Sequence, residues 1–338
     1  MPPAQPASGI HVGIQIGATT APKDLAAIAQ EAEALGYGEI WLAEDYFQLG
    51  GIASVATALA STERIAVGLG DVAAAVRHPA ATAMEFATLG ETYPRRFMAG
   101  LGHGAGEWVR QMGLRPKSPM RLLRESTYSI QKLLEGDEVT TSGEYFSFDR
   151  ARLHHAPTQR IPLYLGVHGP ASLGLSGELG DGTLLGWFSS PSYVAWARDR
   201  IDEGRARSNH KDHHRLVVLC LLSISEDNPS AVTRELASWI APMLTSMVVS
   251  PQLKMSEEGQ KLLRLIEADH DRLHAEGPPE SLLGDFVAAG DPASCRLTIE
   301  RLLEAGADQV VLVPNPAGYR STAAMLEQMR RAAALVEP

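Results

Sequence analysis

Residues 12–43 have the sequence VGIQIGATTAPKDLAAIAQEAEALGYGEIWLA, in which two short apolar runs flank a longer amphipathic segment. The two runs, residues 12–16 and 39–43, have the length and apolar content of buried strands. The segment between them has Pro22 near its start and Gly36 just after its end, an arrangement typical of a helix. A strand, a helix and a second strand in this order predict a parallel βαβ unit.

The same alternation of short apolar and longer amphipathic segments continues to the end of the chain. Six further strand candidates lie at residues 65–69, 97–101, 163–166, 182–185, 216–219 and 309–313. Two segments interrupt the alternation: a β-hairpin near residues 138–148 and a mostly helical stretch near residues 231–283. Eight parallel strands alternating with helices predict an α/β protein, a single (β/α)8 TIM barrel with insertions. An open doubly wound sheet is the alternative.

Length and composition favour one domain. At 338 residues the chain has the size of a single α/β barrel, which we expect over residues 10–338 after a flexible N-terminus at residues 1–9. The net charge of −10 argues against a nucleic-acid partner. No apolar run is long enough to span a membrane and no signal peptide is recognisable, so we expect a cytoplasmic protein. Cys220 and Cys295 lie in apolar segments and are expected to be buried free thiols.

Catalytic residues are expected at the carboxyl ends of the predicted strands, because TIM barrels carry their active sites there. The second strand is followed by Glu44-Asp45-Tyr46-Phe47. Two carboxylates and a phenol at a barrel mouth suit proton transfer or hydrogen bonding to a cofactor ring. The alternative is a solvated loop with Phe47 in the core, and this alternative suits Glu44 better than Asp45 or Tyr46.

Two turns combine glycine with free backbone N–H groups, a combination that suits the binding of an anion. The first turn follows the fourth strand and has the sequence Gly102-His103-Gly104-Ala105-Gly106. The stretch that includes the start of this turn, Gly100-Leu101-Gly102-His103-Gly104-Ala105, matches the dinucleotide fingerprint G-x-G-x-x-G/A. However, no acidic residue ends a strand about 20 residues later, which argues against a Rossmann domain. The second turn, Gly166-Val167-His168-Gly169-Pro170, leads into a predicted helix. Together the two turns predict a phosphorylated cofactor.

The histidine pattern predicts no metal site. His154-His155 and His213-His214 are adjacent pairs that match no zinc-binding motif, and we expect all four in solvated loops. The chain also lacks the G-x-S-x-G and Walker A motifs, which argues against the commonest hydrolases and nucleoside triphosphatases.

Several of these segments together resemble the luciferase-like monooxygenase superfamily, and specifically its coenzyme F420-dependent branch. That branch includes methylene-tetrahydromethanopterin reductase and F420-dependent glucose-6-phosphate dehydrogenase. The resemblance extends from the first strand to the last helix. It is carried by Arg77-His78-Pro79-Ala80, Tyr93-Pro94-Arg95-Arg96-Phe97 with the following Gly100-Leu101-Gly102-His103-Gly104, Leu179-Gly180-Asp181-Gly182 and Glu304-Ala305-Gly306-Ala307-Asp308. The order and spacing of these segments together carry the resemblance.

The resemblance implies a cofactor and a set of contacts to it. The implied cofactor is coenzyme F420, with FMN as the alternative. A non-prolyl cis peptide bond is implied at Asp71–Val72, pressing against the bent deazaflavin ring, with Ala74 among the cofactor contacts. Asp45 matches a position that hydrogen-bonds the ring, and the two glycine turns would hold the cofactor phosphate.

The chain departs from the sugar-phosphate dehydrogenases of this branch at Tyr46, which stands where they have a histidine base. A phenol, with an ordinary pKa of about 10, is a better proton donor than base at neutral pH. We therefore expect Tyr46 to donate a proton to a substrate that is reduced, with Asp45, His103 and Glu107 as further acid–base candidates. Because no cluster of basic residues is present for a sugar phosphate, glucose 6-phosphate is not the expected substrate.

The predicted function is hydride transfer between C5 of the deazaflavin and a small organic substrate, as in the reduction of a C=C or C=N bond. Residues 138–150 and 240–285 would form the walls and lid of the substrate site. One alternative is an FMN-dependent monooxygenase that uses O2 and receives reduced flavin from a partner flavin reductase. Another is a flavin-binding barrel without turnover. A homodimer is expected by analogy with relatives.

Overall fold

A computed structural model of the chain describes residues 12–208, 212–314 and 321–335. The strands are β1 (Val12–Ile16), β2 (Glu39–Leu42), β3 (Ala66–Leu69), β4 (Val72–Ala73), β5 (Phe97–Gly102), β6 (Val139–Ser142), β7 (Ser147–Ala151), β8 (Leu163–Gly166), β9 (Gly182–Leu185), β10 (Arg215–Ile224), β11 (Ala288–Gly290) and β12 (Gln309–Pro314). The flexible segment expected at residues 1–9 lies outside the described residues.

The helices occupy the intervals between the strands. A 3-10 helix (Pro22–Asp24) precedes α1 (Leu25–Ala34), and the other helices are α2 (Gly51–Ser61), α3 (Pro79–Thr92), α4 (Gly106–Gln111), α5 (Pro119–Leu134), α6 (Pro170–Leu179), α7 (Pro191–Arg205), α8 (Pro229–Ser246), α9 (Pro251–Lys254), α10 (Glu257–Ala268), α11 (His270–Glu276), α12 (Glu280–Leu283), α13 (Pro292–Glu304) and α14 (Thr322–Ala333). Proline begins six of the longer helices, where its missing N–H is not needed.

Eight of the twelve strands in the described residues close into a parallel barrel. Their order is β1-β2-β3-β5-β8-β9-β10-β12, and β12 pairs with β1 to complete the circle. Each strand pairs with the next one along the chain, as right-handed βα connections require. The predicted (β/α)8 barrel is therefore confirmed, and the open doubly wound sheet is excluded.

Both predicted insertions are present. Strands β6 and β7 form an antiparallel hairpin, and helices α8 to α12 form a segment between β10 and β11. Two short strands were not expected from the sequence: β4 pairs with β5, and β11 pairs with β10. The interior of the barrel and the helical insertion share one hydrophobic cluster, in which Leu219 and Val311 of the strands belong with Leu236 and Ile240 of α8. The insertion is thus packed on the barrel.

A buried ion pair lies at the amino-terminal end of the barrel. Arg215, the first residue of β10, has its Nη1 atom 2.8 Å from Oε2 of Glu39, the first residue of β2. The same guanidinium donates to Oε1 of Gln309, the first residue of β12, at 3.1 Å. These polar side chains satisfy one another across the bottom of the barrel, and the opposite, carboxyl end is the one where chemistry is expected.

The two cysteines agree with the prediction from the sequence, and one histidine does not. Cys220 and Cys295 are buried and unpaired, as predicted. His214 was expected in a solvated loop, and this is wrong: the ring is buried, with Nε2 2.8 Å from the Thr183 hydroxyl and Nδ1 3.2 Å from the Gly180 carbonyl oxygen. Its side chain thus connects β9 and Gly180, which precedes β9 in the chain, to the start of β10. In the described part of the chain, no helix has the length and apolarity to cross a membrane.

Candidate active site

The end of β2 carries a buried carboxylate. Glu44 accepts hydrogen bonds from both guanidinium nitrogens of Arg77, Nη2 at 2.9 Å, and from the backbone N–H of Gly51 at 2.9 Å. The alternative of a solvated loop with Phe47 in the core, which suited Glu44 best, is wrong, because Glu44 is buried and Phe47 is 70% exposed. An ion pair between strand ends 33 residues apart stabilises the Glu44 charge.

Tyr46 is held between two neighbours. Its hydroxyl group lies 3.3 Å from Oε1 of Glu44, to which it donates, and it accepts from the backbone N–H of Ala73 at 3.2 Å. Its ring meets that of Trp108 edge-on, with the ring centroids 6.3 Å apart. Burial, and then the negative charge of Glu44, raise the pKa of Tyr46 to about 12. The phenol is therefore protonated at neutral pH, as a proton donor must be.

Asp71 follows β3 and lies against the ends of β5 and β8. Gly102 and Gly166 are register partners on those strands, and a Cβ atom built on either glycine would lie 2.8 Å from the carboxyl carbon of Asp71. Only glycine at both positions leaves room for this carboxyl group. Burial, and then the charges of Asp45 and Glu44, raise the pKa of Asp71 to about 7.

The peptide bond expected to be cis is trans. No cis peptide bond occurs among the described residues, so the expectation at Asp71–Val72 is wrong. Val72 and Ala73 form β4, and the Ala74 N–H continues this pairing by donating to the Gly102 carbonyl oxygen at 2.9 Å. This pairing uses extended trans backbone, which a non-prolyl bond favours by roughly 3–4 kcal/mol. The side chains of Val72 and Ala74 lie in the hydrophobic core.

Of the two remaining acid–base candidates, His103 lies in the first glycine turn, whereas Glu107 lies outside it on α4. Gly104 has a positive φ of 69° and packs against Ala73, so a side chain there would be strained. His103 is half-buried, and burial lowers its pKa. Glu107 is exposed on α4 and paired with Arg110, whose hydrogen bond lowers the Glu107 pKa. The structure therefore does not bring Glu107 together with the other candidates.

The second glycine turn presents a histidine without a partner. Nδ1 of His168 is buried and has no hydrogen-bond partner among the described residues, whereas its carbonyl oxygen accepts from the Tyr193 hydroxyl at 2.6 Å. Burial, followed by the nearby His103, lowers the pKa of His168 to about 4, so the ring is neutral. Gly169 precedes α6 with no side-chain cap, which leaves the first N–H groups of this helix available to a ligand.

The site thus gathers Asp45, Tyr46, Asp71, His103 and His168 around the carboxyl ends of four neighbouring strands. Asp45 is partly buried, and its burial raises its pKa. The described residues contain no group of three or more histidine, cysteine or carboxylate side chains arranged to bind a metal.

Two features of the site were missed in the sequence. One is the pairing of Glu44 with Arg77, and the other is the carboxyl group of Asp71, where only a backbone role was expected. A signal for both was present in the sequence. Each of these residues directly follows a predicted strand or lies in the loop after it, and Arg77 is the one arginine or lysine between β3 and α3.

Comparison with known proteins identifies the family of this chain. The model of the luciferase-like monooxygenase family matches residues 7–309. The 5,10-methylenetetrahydromethanopterin reductase of Methanolobus tindarius is 28% identical over 297 residues, which cover 85% of this chain and 89% of the relative. The F420-dependent glucose-6-phosphate dehydrogenase of Beutenbergia cavernae is 32% identical over 241 residues, covering 67% of this chain and 71% of the relative.

Solved structures share the barrel over nearly the whole chain. The coenzyme F420-dependent tetrahydromethanopterin reductase of Methanopyrus kandleri superposes with a TM-score of 0.78 at 23% identity, covering 97% of this chain and 99% of that one. An F420-dependent secondary alcohol dehydrogenase superposes with a TM-score of 0.77 at 21% identity, covering 98% and 100%. At these identities the superpositions establish the fold. With the family match over most of its length, the chain belongs to the luciferase-like monooxygenase family, as its sequence predicted.

Proposed function

We propose that this protein is a coenzyme F420-dependent oxidoreductase that transfers a hydride between C5 of the deazaflavin and a small organic substrate, reducing a C=C or C=N bond. The observation that carries the proposal is the pairing of Gly102 with Gly166. Through this pair, the two glycine turns begin on adjacent strands at the carboxyl end of the barrel, which also carries Asp45, Tyr46 and Asp71. Relatives whose names include F420 dependence support the choice of cofactor.

The residues at the mouth fit a phosphorylated cofactor with a polar ring. The uncapped start of α6, a helix of ten residues, offers N–H groups and the positive end of a helix dipole to a phosphate. The buried, unpartnered Nδ1 atom of His168 lies in the turn that precedes this helix. The carboxyl group of Asp45 can hydrogen-bond a polar group at the edge of the ring.

When bound at this mouth, F420 would supply or accept the hydride at its C5 atom. The residues of the chain would orient the substrate, exclude water and transfer a proton to or from the substrate. Tyr46 is kept protonated by its raised pKa, and its hydroxyl position is determined by Glu44 and Ala73. Arg77 neutralises the charge of Glu44, the carboxylate that accepts the hydrogen bond from the Tyr46 hydroxyl group.

The charge of the mouth restricts the substrate. Glu44, Asp45 and Asp71 contribute three carboxyl groups, and Arg77 pairs with the first of them. An anionic substrate would therefore meet unfavourable electrostatics, whereas a neutral enone or an imine, which becomes cationic on protonation, would not. This charge pattern argues against glucose 6-phosphate in this chain, in contrast to the activity named for some relatives.

The proposal is tested by turnover with reduced F420 in the absence of oxygen. Cyclohex-2-enone and 1-pyrroline serve as probes of C=C and C=N reduction, and the formation of oxidised F420 is followed by its absorbance. We expect oxidation of reduced F420 with at least one probe and no reduction of oxidised F420 by glucose 6-phosphate. Product formation that requires reduced FMN and O2 instead would contradict the proposal and establish the monooxygenase alternative.

A further inference from the structure

We propose that Asp71 is the catalytic residue that exchanges a proton with the substrate while the hydride moves. This inference rests on the proposed function for the nature of the reaction. It goes beyond the roles expected from the sequence, in which Tyr46 donates the proton and Asp71 contributes only its backbone.

The position of Asp71 is built by glycines on two neighbouring strands. Gly100, Gly102 and Gly166 all face Asp71: a Cβ atom on Gly100 would lie 3.2 Å from its Cα atom, and one on Gly166 would lie 2.6 Å from its Oδ1 atom. The carboxyl group thus lies over the carboxyl ends of β5 and β8, where both glycine turns begin. A side chain directed to the outside of the barrel would not need this room.

The carboxyl group of Asp71 has no partner inside the protein. Among the described residues, no side chain or backbone group hydrogen-bonds to it and no cation pairs with it, whereas Glu44 nearby has four hydrogen-bond donors. The charged groups that act on Asp71 are Asp45 and Glu44, both negative. Partial burial and these two charges keep a proton on Asp71 up to a pH of about 7, so both protonation states are populated at neutral pH.

The other candidates are less suited to exchange a proton in both directions. The Tyr46 hydroxyl is engaged by Glu44 and Ala73, and its pKa of about 12 makes its deprotonated form rare. Glu107 is exposed and paired with Arg110. His103 has a lowered pKa and is neutral at pH 7, so it lacks the proton that a reduction must deliver.

For an imine, the reductant is the reduced deazaflavin with its N1 atom deprotonated. The electron pair of its C5–H bond forms the new C–H bond on the imine carbon, and the C=N π pair moves to nitrogen. The O–H bond of the Asp71 carboxyl group breaks, and its proton goes to that nitrogen. An amine, an Asp71 carboxylate and the oxidised deazaflavin result, and Asp71 then regains a proton from water.

The first test needs neither cofactor nor substrate. Protein labelled with 13C in its aspartate carboxyl groups is titrated by NMR from pH 4 to 9, and the resonance missing from Asp71→Asn identifies Asp71. Asp149→Asn is the matched control, because Asp149 is exposed on β7. We expect the Asp71 resonance to titrate near pH 7 in wild type and to keep the same midpoint in the Asp149→Asn variant. An Asp71 midpoint below pH 5 would overturn the inference.

The second test separates the role of Asp71 from the proposed function. Single-turnover oxidation of reduced F420 by 1-pyrroline is measured from pH 5 to 9 in wild type, Asp71→Asn and Asp149→Asn. Since the protonated carboxyl delivers the proton, the wild-type rate constant should fall as pH rises through about 7. Asp71→Asn should be about 100-fold slower or more, without this fall, while its dissociation constant for F420 stays within about threefold.

The outcomes are distinguishable. Wild-type protein that does not bind F420 contradicts the proposed function and the inference that rests on it. Wild-type protein that reduces the probe, with Asp71→Asn within threefold of the same rate, overturns the role of Asp71 and leaves the proposed function intact. A slower Asp71→Asn variant whose pH profile equals that of wild type would also overturn the role of Asp71, because the proton would then come from another group.

Discussion

At the scale of single residues, the ion pair between Glu44 and Arg77 stabilises the position of the site residues around it. The Glu44 side chain is 2% exposed and that of Arg77 27%. The carboxylate also receives the Gly51 N–H at the start of α2 and the Tyr46 hydroxyl. One carboxylate thus connects the loop after β2, the start of α2 and the loop after β3.

Replacing Arg77 with alanine should leave the Glu44 charge buried without a cation. We expect the free energy of unfolding to fall by about 2–4 kcal/mol, less than for a fully buried pair because Arg77 is partly exposed. Urea denaturation followed by circular dichroism measures this change.

Arg110→Ala is the matched control for this prediction, since it removes an exposed arginine that pairs with Glu107. Its free energy of unfolding should equal that of wild type within error, because exposed ion pairs contribute little. Equal stability of Arg77→Ala and wild type would show that the Glu44–Arg77 pair does not stabilise the protein.

At the scale of elements, Glu258 connects the helical insertion to the barrel. It lies in the first turn of α10 and accepts hydrogen bonds from the hydroxyl groups of Ser190, at 2.9 Å, and Ser192, at the start of α7. The backbone N–H of Glu257 donates to the Ser192 hydroxyl at 2.9 Å. These bonds lower the pKa of Glu258 in spite of its burial and attach the predicted lid to the loop after β9.

Glu258→Ala should loosen this attachment. We expect local opening of α10 to become easier by roughly 1–3 kcal/mol, which corresponds to amide hydrogen exchange about 5- to 150-fold faster in that helix. Exchange measured by mass spectrometry checks this, with Glu257→Ala, an exposed neighbour, as the control. The same exchange rate in both variants would contradict the anchoring role of Glu258.

Elements with a periodic sequence were predictable, and short ones were not. The eight barrel strands and the hairpin were placed within a few residues, because apolar runs and glycine or proline boundaries are local signals. Strand β4 has two residues and exists only because its backbone pairs with the end of β5. No local pattern of two residues predicts such a contact.

At the scale of the whole molecule, the barrel explains why part of the site could be predicted. The carboxyl ends of parallel strands meet at one end of a closed barrel, so the loops after β2, β5 and β8 had to be neighbours once closure was assumed. The pairing of Glu44 with Arg77 depends on side-chain directions in two loops, and the room for Asp71 depends on glycines in two strands. Such contacts between distant segments leave no periodic trace in a single sequence.

The most direct test of the proposed cofactor is the binding of oxidised F420 and of FMN to the purified protein, followed by quenching of tryptophan fluorescence. Trp108, beside Tyr46, should report the ligand, and Trp108→Phe should lower the amplitude without changing the dissociation constant. We predict saturable quenching by F420, with a dissociation constant at least about tenfold lower than that for FMN. Tighter binding of FMN, or no binding of F420, would contradict the assignment of this protein as an F420-dependent oxidoreductase.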